Sequence, residues 1–389
     1  MSPLSIARLT LTDFRNYAHA VIEAGPGPVV LTGANGSGKT NLLEAVSLLA
    51  PGQGLRRAHY PELSRQGSAG GWAVAARVHT RDGLMDIGTG LQPTSPGQSA
   101  RSSTASGRIV RIGGEATTGS GALADLVEVV WVTPAMDGLF TGAAADRRRF
   151  LDRLVLCFDP GFRTLAGRYE RAMQSRNRLL ADGIREHARL VGVEIVMAEA
   201  GTAIAAARRS TVDRLARVIA ARRDRDPNSP FPWAGLALEG SLEEALASLP
   251  AVDVEDAYAR RLAHARERDR ASGRTLEGPH RSDLSVTHGP KQMPARLSST
   301  GEQKSLLIGL VLAEAELIAS RHGGAGPLVL LDEVTAHLDE HRRGALFAEI
   351  LSLRVQAWMT GTDLSSFAGI AASSTLFDVA DGRIRRDGP

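Results

Sequence analysis

Gly33-Ala34-Asn35-Gly36-Ser37-Gly38-Lys39-Thr40 follows an apolar run, Val29-Val30-Leu31, and leads into Asn41-Leu42-Leu43-Glu44-Ala45-Val46, a helical pattern. Strand, glycine-rich loop and helix in that order make a phosphate-binding loop. Glycines let the loop curl so that successive backbone N–H groups share one concavity, and the helix adds the positive end of its dipole there. A triphosphate fits such a cradle, so nucleotide contacts are expected from Gly33, Ala34, Asn35, Gly36, Ser37, Gly38, Lys39, Thr40 and Asn41. Lys39 would face the β- and γ-phosphates and assist catalysis, and the Thr40 hydroxyl would ligate Mg2+. The plainer reading, a glycine turn opening an ordinary helix, leaves a complete eight-residue motif to chance.

A second apolar run, Pro327-Leu328-Val329-Leu330-Leu331, ends in Asp332-Glu333. A buried parallel strand delivers side chains to its C-terminal edge, where open α/β sheets bind ligands. Asp332 is the expected Mg2+ residue and Glu333 the group that orients or deprotonates an attacking water. Read alone, two acids after a strand equally suit a helix N-cap. Ahead of them, Ser298-Ser299-Thr300-Gly301-Glu302-Gln303-Lys304 opens another helix, a further anion-binding geometry. After them comes a tight acidic turn, Ala336-His337-Leu338-Asp339.

The 389-residue chain is long enough for two or three structural units. Cys157 is its only cysteine, which excludes an internal disulfide framework and suits a reducing cytoplasm. No leader-like N-terminus and no run of eighteen apolar residues is present, so neither secretion nor a membrane span is expected. Basic residues are almost all arginine, with Lys only at 39, 291 and 304, a bias too general to mark each arginine as a phosphate contact.

Short strands are expected between 4 and 33, then at 72 to 79, 84 to 91 and 108 to 112. The Ser-, Thr-, Gly- and Pro-rich stretch 93 to 107 reads as a loop, and Val127 to Val132 as a buried strand. From about 143 the pattern turns helical, with Pro227, Pro230 and Pro232 breaking it before a charged helix at 253 to 270. The expected division is 1 to 142, an inserted compact helical arm of 143 to 275, and 276 to 389, without heptads sustained enough for a long coiled coil.

The series of P-loop, hydroxyl-Gly-Glu helix start, Asp-Glu strand end and Ala-x-Leu-Asp turn resembles the ABC-type ATPases. The likeness implies an α/β head, a P-loop sheet with helices plus an antiparallel β subdomain. It implies that Ser299, Thr300, Gly301 and Glu302 contact a nucleotide held by a second subunit, with Asp339 nearby. The long separation of Lys39 from Asp332 sets the chain apart from transporter subunits and points to the SMC-like DNA-repair ATPases. Among these it resembles the RecF family over nearly its whole length, on Leu11-Thr12-Asp13-Phe14-Arg15-Asn16-Tyr17, the P-loop, Arg147 to Asp152, Tyr169 to Leu180, Gly278 to Leu284 and both C-terminal motifs. That resemblance implies a weak, DNA-stimulated ATPase in the cytoplasm whose ATP-bound homodimer clamps gapped double-stranded DNA without sequence preference. It also implies partnership with RecR and RecO, loading of RecA, and support of replication restart and the SOS response. Two departures stand out: no Gln follows Val132-Thr133-Pro134, and no switch His occurs near Thr360-Gly361-Thr362-Asp363.

No base-reading motif is present, so DNA contact would run through phosphates. Candidate arginines are Arg56 and Arg57 after a glycine-rich turn, Arg147 to Arg149, and Arg163, Arg168, Arg171, Arg176 and Arg178 of the arm. In an arginine-biased chain most of these are expected to be solvated helix faces or to pair with nearby acids, and Arg56 and Arg57 rank above the others as contacts. His280 with Asp283 is read as structural, since no second ligand lies at metal spacing. Three other readings compete with the DNA clamp: a transporter ATPase subunit, which the arm opposes; a chromosome-structuring protein, which would need a long heptad arm; and a non-hydrolysing scaffold, which Lys39 and Glu333 oppose.

Overall fold

The computed structural model describes residues 3–93, 107–117, 119–182, 187–336 and 338–387; most of the expected 93 to 107 loop, and His337, lie outside them. The chain forms two compact units, one of Met1–Asp137, Asn228–Pro232 and Ser299–Pro389, the other of Gly138–Pro227 and Trp233–Ser298.

Two sheets build the first unit. One is antiparallel, from β1 (Ser5–Phe14), β2 (Tyr17–Glu23), β4 (Trp72–Thr80), β5 (Gly83–Leu91), β6 (Ile109–Ile112) and β7 (Glu115–Thr117), in the order β2-β1-β4-β5-β6-β7. Its alternating buried and exposed residues, as in β4, mark a sheet with one wet face. The other comprises β3 (Val29–Thr32), β8 (Val129–Val132), β12 (Leu328–Leu331), β13 (Ala357–Thr360), β14 (Thr375–Ala380) and β15 (Arg383–Asp387), in the order β15-β14-β3-β13-β12-β8. All its pairs are parallel except β14 with β15. Every residue of β3, β12 and β13 is buried, which explains their unbroken apolar runs.

Helix α1 (Lys39–Ser47) joins the core that holds Leu9 and Val74 of the antiparallel sheet together with Leu31, Leu330 and Trp358 of the parallel one. Helices α8 (Thr300–Arg321), α9 (Glu340–Leu353) and α10 (Ala368–Ala371) complete the unit, α8 packing on β8 and α9. Gln356, fully buried just before β13, ties the two sheets: its Oε1 accepts from Ile6 N (2.8 Å), and its Nε2 donates to Ile6 O (3.0 Å) and Gly25 O (2.7 Å).

The second unit contains α2 (Ala144–Leu156), α3 (Phe162–Ala181), α4 (His187–Arg225), α5 (Ser241–Ala245), α6 (Ala251–His264) and α7 (Arg266–Ser272). It also contains a sheet that the helical reading of 143 to 275 did not include, with β9 (Ala234–Glu239), β10 (Asp283–His288) and β11 (Met293–Pro294) in the order β11-β10-β9. Pairing of β10 with β9 keeps the returning chain in this unit, which apart from Asn228–Pro232 runs from Gly138 to Ser298, so its outer bounds are Gly138 and Ser298 where 143 and 275 were expected. Helix α4 is long and apolar enough to cross a membrane, yet half of that stretch is buried, against α3 and α6, and its buried residues include Glu194 and Arg208.

Arg176, expected as a DNA contact, is fully buried at the centre of this unit. Its guanidinium donates to Glu194 Oε1 (3.0 Å), Asp269 Oδ2 (2.7 Å), Thr275 Oγ1 (2.9 Å) and Leu262 O (2.7 Å). Fully buried, with four of its five N–H donors engaged on these protein acceptors, it is a structural residue and not a phosphate contact.

Candidate active site

Parallel register sets the site. Leu331 of β12 lies opposite Met359 of β13, and Thr360 lies opposite Leu31 of β3, so Asp332, Thr360 and the loop after Thr32 share one sheet edge. The loop from Gly33 to Gly38 turns on three glycines with φ of 141°, 80° and 116° at Gly33, Gly36 and Gly38, values that side chains oppose. A Cβ at Gly38 would lie 2.5 Å from Asn16 Nδ2 and 2.6 Å from the Tyr17 hydroxyl.

Lys39 is buried within the curl, its Nζ donating to Gly33 O (2.6 Å) and Ala34 O (2.8 Å). Burial lowers its pKa, and the nearby Glu333 and Asp332 carboxylates partly offset that. Ala34, Asn35 and Gly36 are exposed at the rim, while Ser37 is buried with its Oγ lacking a hydrogen-bond partner. Thr40 Oγ1 donates to Asp332 Oδ1 at 3.0 Å, and that same oxygen accepts from Thr360 Oγ1 at 2.8 Å. The Glu333 N–H donates to Thr360 Oγ1 at 2.8 Å. Thr360, one of the two threonines standing where a switch histidine was sought, is thus fully buried and fastens Asp332 and Glu333 to the neighbouring strand, whereas Thr362 is exposed.

Asn16, quoted only as part of a motif, buttresses the loop from the β1–β2 turn. Its Nδ2 donates to Ser37 O (3.1 Å) and its Oδ1 accepts from Asn41 Nδ2 (2.7 Å). Arg15 next to it grips the fully buried Glu44 of α1 through Nε (2.8 Å) and Nη2 (2.9 Å). Burial raises the pKa of the Tyr17 hydroxyl, which stays a neutral phenol.

Ser299 caps α8 in a capping box: its Oγ accepts from Glu302 N (3.4 Å) and its N–H donates to Glu302 Oε2 (3.1 Å). Thr300 and Gly301 form the first helical residues. Asp339 caps α9, its Oδ1 accepting from Arg342 N (2.8 Å), which holds the carboxyl below its ordinary pKa. Of the arginines expected at DNA, Arg56 donates to Asn41 Oδ1 (2.7 Å) and pairs with Glu44, so it braces α1 while remaining 41% exposed. Arg57 and Arg171 are exposed; Arg147 makes a two-pronged pair with Asp283 (2.8 and 2.7 Å). His280 is occupied too: its Nδ1 meets the Tyr169 hydroxyl (2.8 Å) and its Nε2 meets Thr275 O (3.0 Å).

The edge therefore presents a curled loop with a central ammonium and, within 3.0 Å of one another, a hydroxyl and a carboxylate oxygen. Such a set suits a polyanion with a small divalent cation, since hard oxygen ligands match Mg2+.

The family model for the RecF/RecN/SMC N-terminal domain matches residues 5–363. The chain is 52% identical to a DNA replication and repair protein RecF of Mesorhizobium japonicum over 97% of both chains, and 50% identical to those of Rhizobium johnstonii and Brucella suis over 98% of this chain. In fold it is similar to a recombination mediator RecF solved as RecF-ATP in the RecFOR pathway, with TM-score 0.82, 22% identity, and 100% and 98% of the two chains covered. An SMC head domain from Pyrococcus furiosus gives TM-score 0.55 at 16% identity, over 99% of this chain and 96% of that one. Its head has the ABC-type ATPase fold, and the chain belongs to the RecF family of DNA replication and repair proteins.

Proposed function

We propose that this protein is an ATP-driven switch on DNA: ATP binding closes a homodimer on duplex DNA at gaps, and slow, DNA-stimulated hydrolysis opens it. The observation that carries the reading is the Thr40–Asp332 pair at the mouth of a lysine-centred loop, 3.0 Å apart. Thr40 Oγ1 and Asp332 would hold Mg2+, which when bound neutralises phosphate charge and orients the γ-phosphoryl group. Residues Gly33 to Asn41 hold the triphosphate through backbone N–H groups and the Lys39 ammonium. Glu333 accepts a proton from the water aimed at the γ-phosphorus. Ser299 to Glu302 and Asp339 act on the nucleotide of the partner subunit.

For DNA we propose the exposed Arg56, Arg57 and Arg171 together with Arg147, the guanidiniums of Arg56 and Arg147 also pairing with carboxylates. Such contacts are blind to sequence, and binding should weaken steeply with salt. The proposal extends to a cytoplasmic role with RecR and RecO in helping to load RecA, in replication restart and in the SOS response; membership of a family of DNA replication and repair proteins is what supports it.

Two results are expected. Gly38→Ala forces a Cβ into Asn16 and Tyr17 at a φ unfavourable by about 1–2 kcal/mol, so ATP affinity should fall about tenfold or more in equilibrium titration. Ser299→Arg should leave ATP affinity intact and abolish ATP-dependent dimerisation in sedimentation velocity. A parental dimer from that variant would remove the trans role of the α8 N-terminus.

A further inference from the structure

Glu333 has φ of +47°, the left-handed region that side chains disfavour. A conformation of that kind persists where its surroundings over-determine it. Two hydrogen bonds grip this peptide from two elements. Its N–H donates to Thr360 Oγ1 at 2.8 Å, from the end of β13, and its carbonyl accepts from Lys304 Nζ at 3.2 Å, from the second turn of α8. Lys304 is 3% exposed, and its ammonium also faces Asp137 Oδ2 at 3.8 Å. Asp137 Oδ1 is buried with no hydrogen-bond partner, so the pair with Lys304 is the interaction described for that carboxylate. Burying an ammonium is unfavourable unless it is paired, and Lys304 sits among Asp137, Glu333 and Asp332.

We propose that Lys304 and Thr360 are positioning residues for the hydrolytic step, fixing the direction in which the Glu333 carboxylate leaves the strand end. The proposal rests on Glu333 acting as the base. Misplacing a reacting group by about 1 Å can cost on the order of a hundredfold in rate, so loss of either grip should lower kcat, and loss of the Lys304 grip, which leaves the Thr360–Asp332 bond in place, should spare ATP affinity. Lys304 touches Glu333 and Asp137 but neither the loop nor Thr40, which makes it the cleaner probe.

The test measures kcat and KM for ATP, and affinity for a non-hydrolysable ATP analogue, in full-length Lys304→Met, Thr360→Val, Thr360→Ser and Glu333→Gln. Expected are a fall in kcat of about tenfold or more for Lys304→Met and Thr360→Val, analogue affinity near the parent's in Lys304→Met, and recovery of most of kcat in Thr360→Ser, which keeps the hydroxyl. Parental kcat in Lys304→Met or in Thr360→Val, with Glu333→Gln inactive, overturns the positioning roles alone. Parental turnover in Glu333→Gln overturns the base assignment beneath them. Should Lys304→Met fail to fold, the Thr360→Val and Thr360→Ser pair decides: a kcat lost in one and recovered in the other supports the grip, and equal kcat in both refutes it.

Discussion

Glu333→Gln is expected to bind ATP with parental affinity, to lose hydrolysis by about 10²- to 10⁴-fold, and to stay closed on DNA while ATP is in excess. The range is what a positioned general base contributes. The amide keeps the shape of the carboxylate and the backbone grips on residue 333, since both bonds involve main-chain atoms. Lys39 and the loop are untouched, so affinity should hold. Single-turnover hydrolysis with filter retention of labelled duplex separates the two effects. Dissociation from DNA as fast as the parent's in excess ATP would show that hydrolysis is not what opens the dimer.

Arg176→Met is expected to destabilise the second unit by about 3–5 kcal/mol, the usual effect of removing one partner of a buried ion pair. Asp269, itself buried, would lose the guanidinium that sits 2.7 Å away, and Leu262 O and Thr275 would lose donors. Glu194 keeps Arg266 at 2.5 Å, so its half of the network survives. Lysine should not substitute, because one ammonium cannot serve acceptors spread around a planar fork. Thermal unfolding followed by circular dichroism reads the loss. An unchanged melting temperature with weakened DNA binding would return Arg176 to the DNA surface.

How far the chain was legible depends on how local each feature is. Gly33 to Thr40 and Leu328 to Glu333 each carry their own strand and turn in a few consecutive residues, so pattern alone places them on one sheet edge. Thr360 and Lys304 act on Glu333 from other elements, and a polar residue at a strand end or early in a helix looks like ordinary turn or capping chemistry. Asn16 was visible as a motif letter, but its role depends on a β1–β2 turn folding against a loop twenty residues on. Arg176 misled for a general reason. In a chain whose cations are nearly all arginine, composition cannot separate a guanidinium sunk among Glu194 and Asp269 from one on a wet helix face such as Arg171. Strand β9 was missed because Ala234-Gly235-Leu236-Ala237-Leu238-Glu239 is short and poor in β-branched residues, and it forms by pairing with β10 more than forty residues away.

Sedimentation velocity of the full-length protein, with and without ATP and Mg2+, in the presence and absence of a short gapped duplex, tests the central claim most directly. A monomer that becomes a DNA-retaining dimer only when ATP and Mg2+ are present is the predicted result. A species whose mass and DNA retention are the same with and without ATP would contradict it.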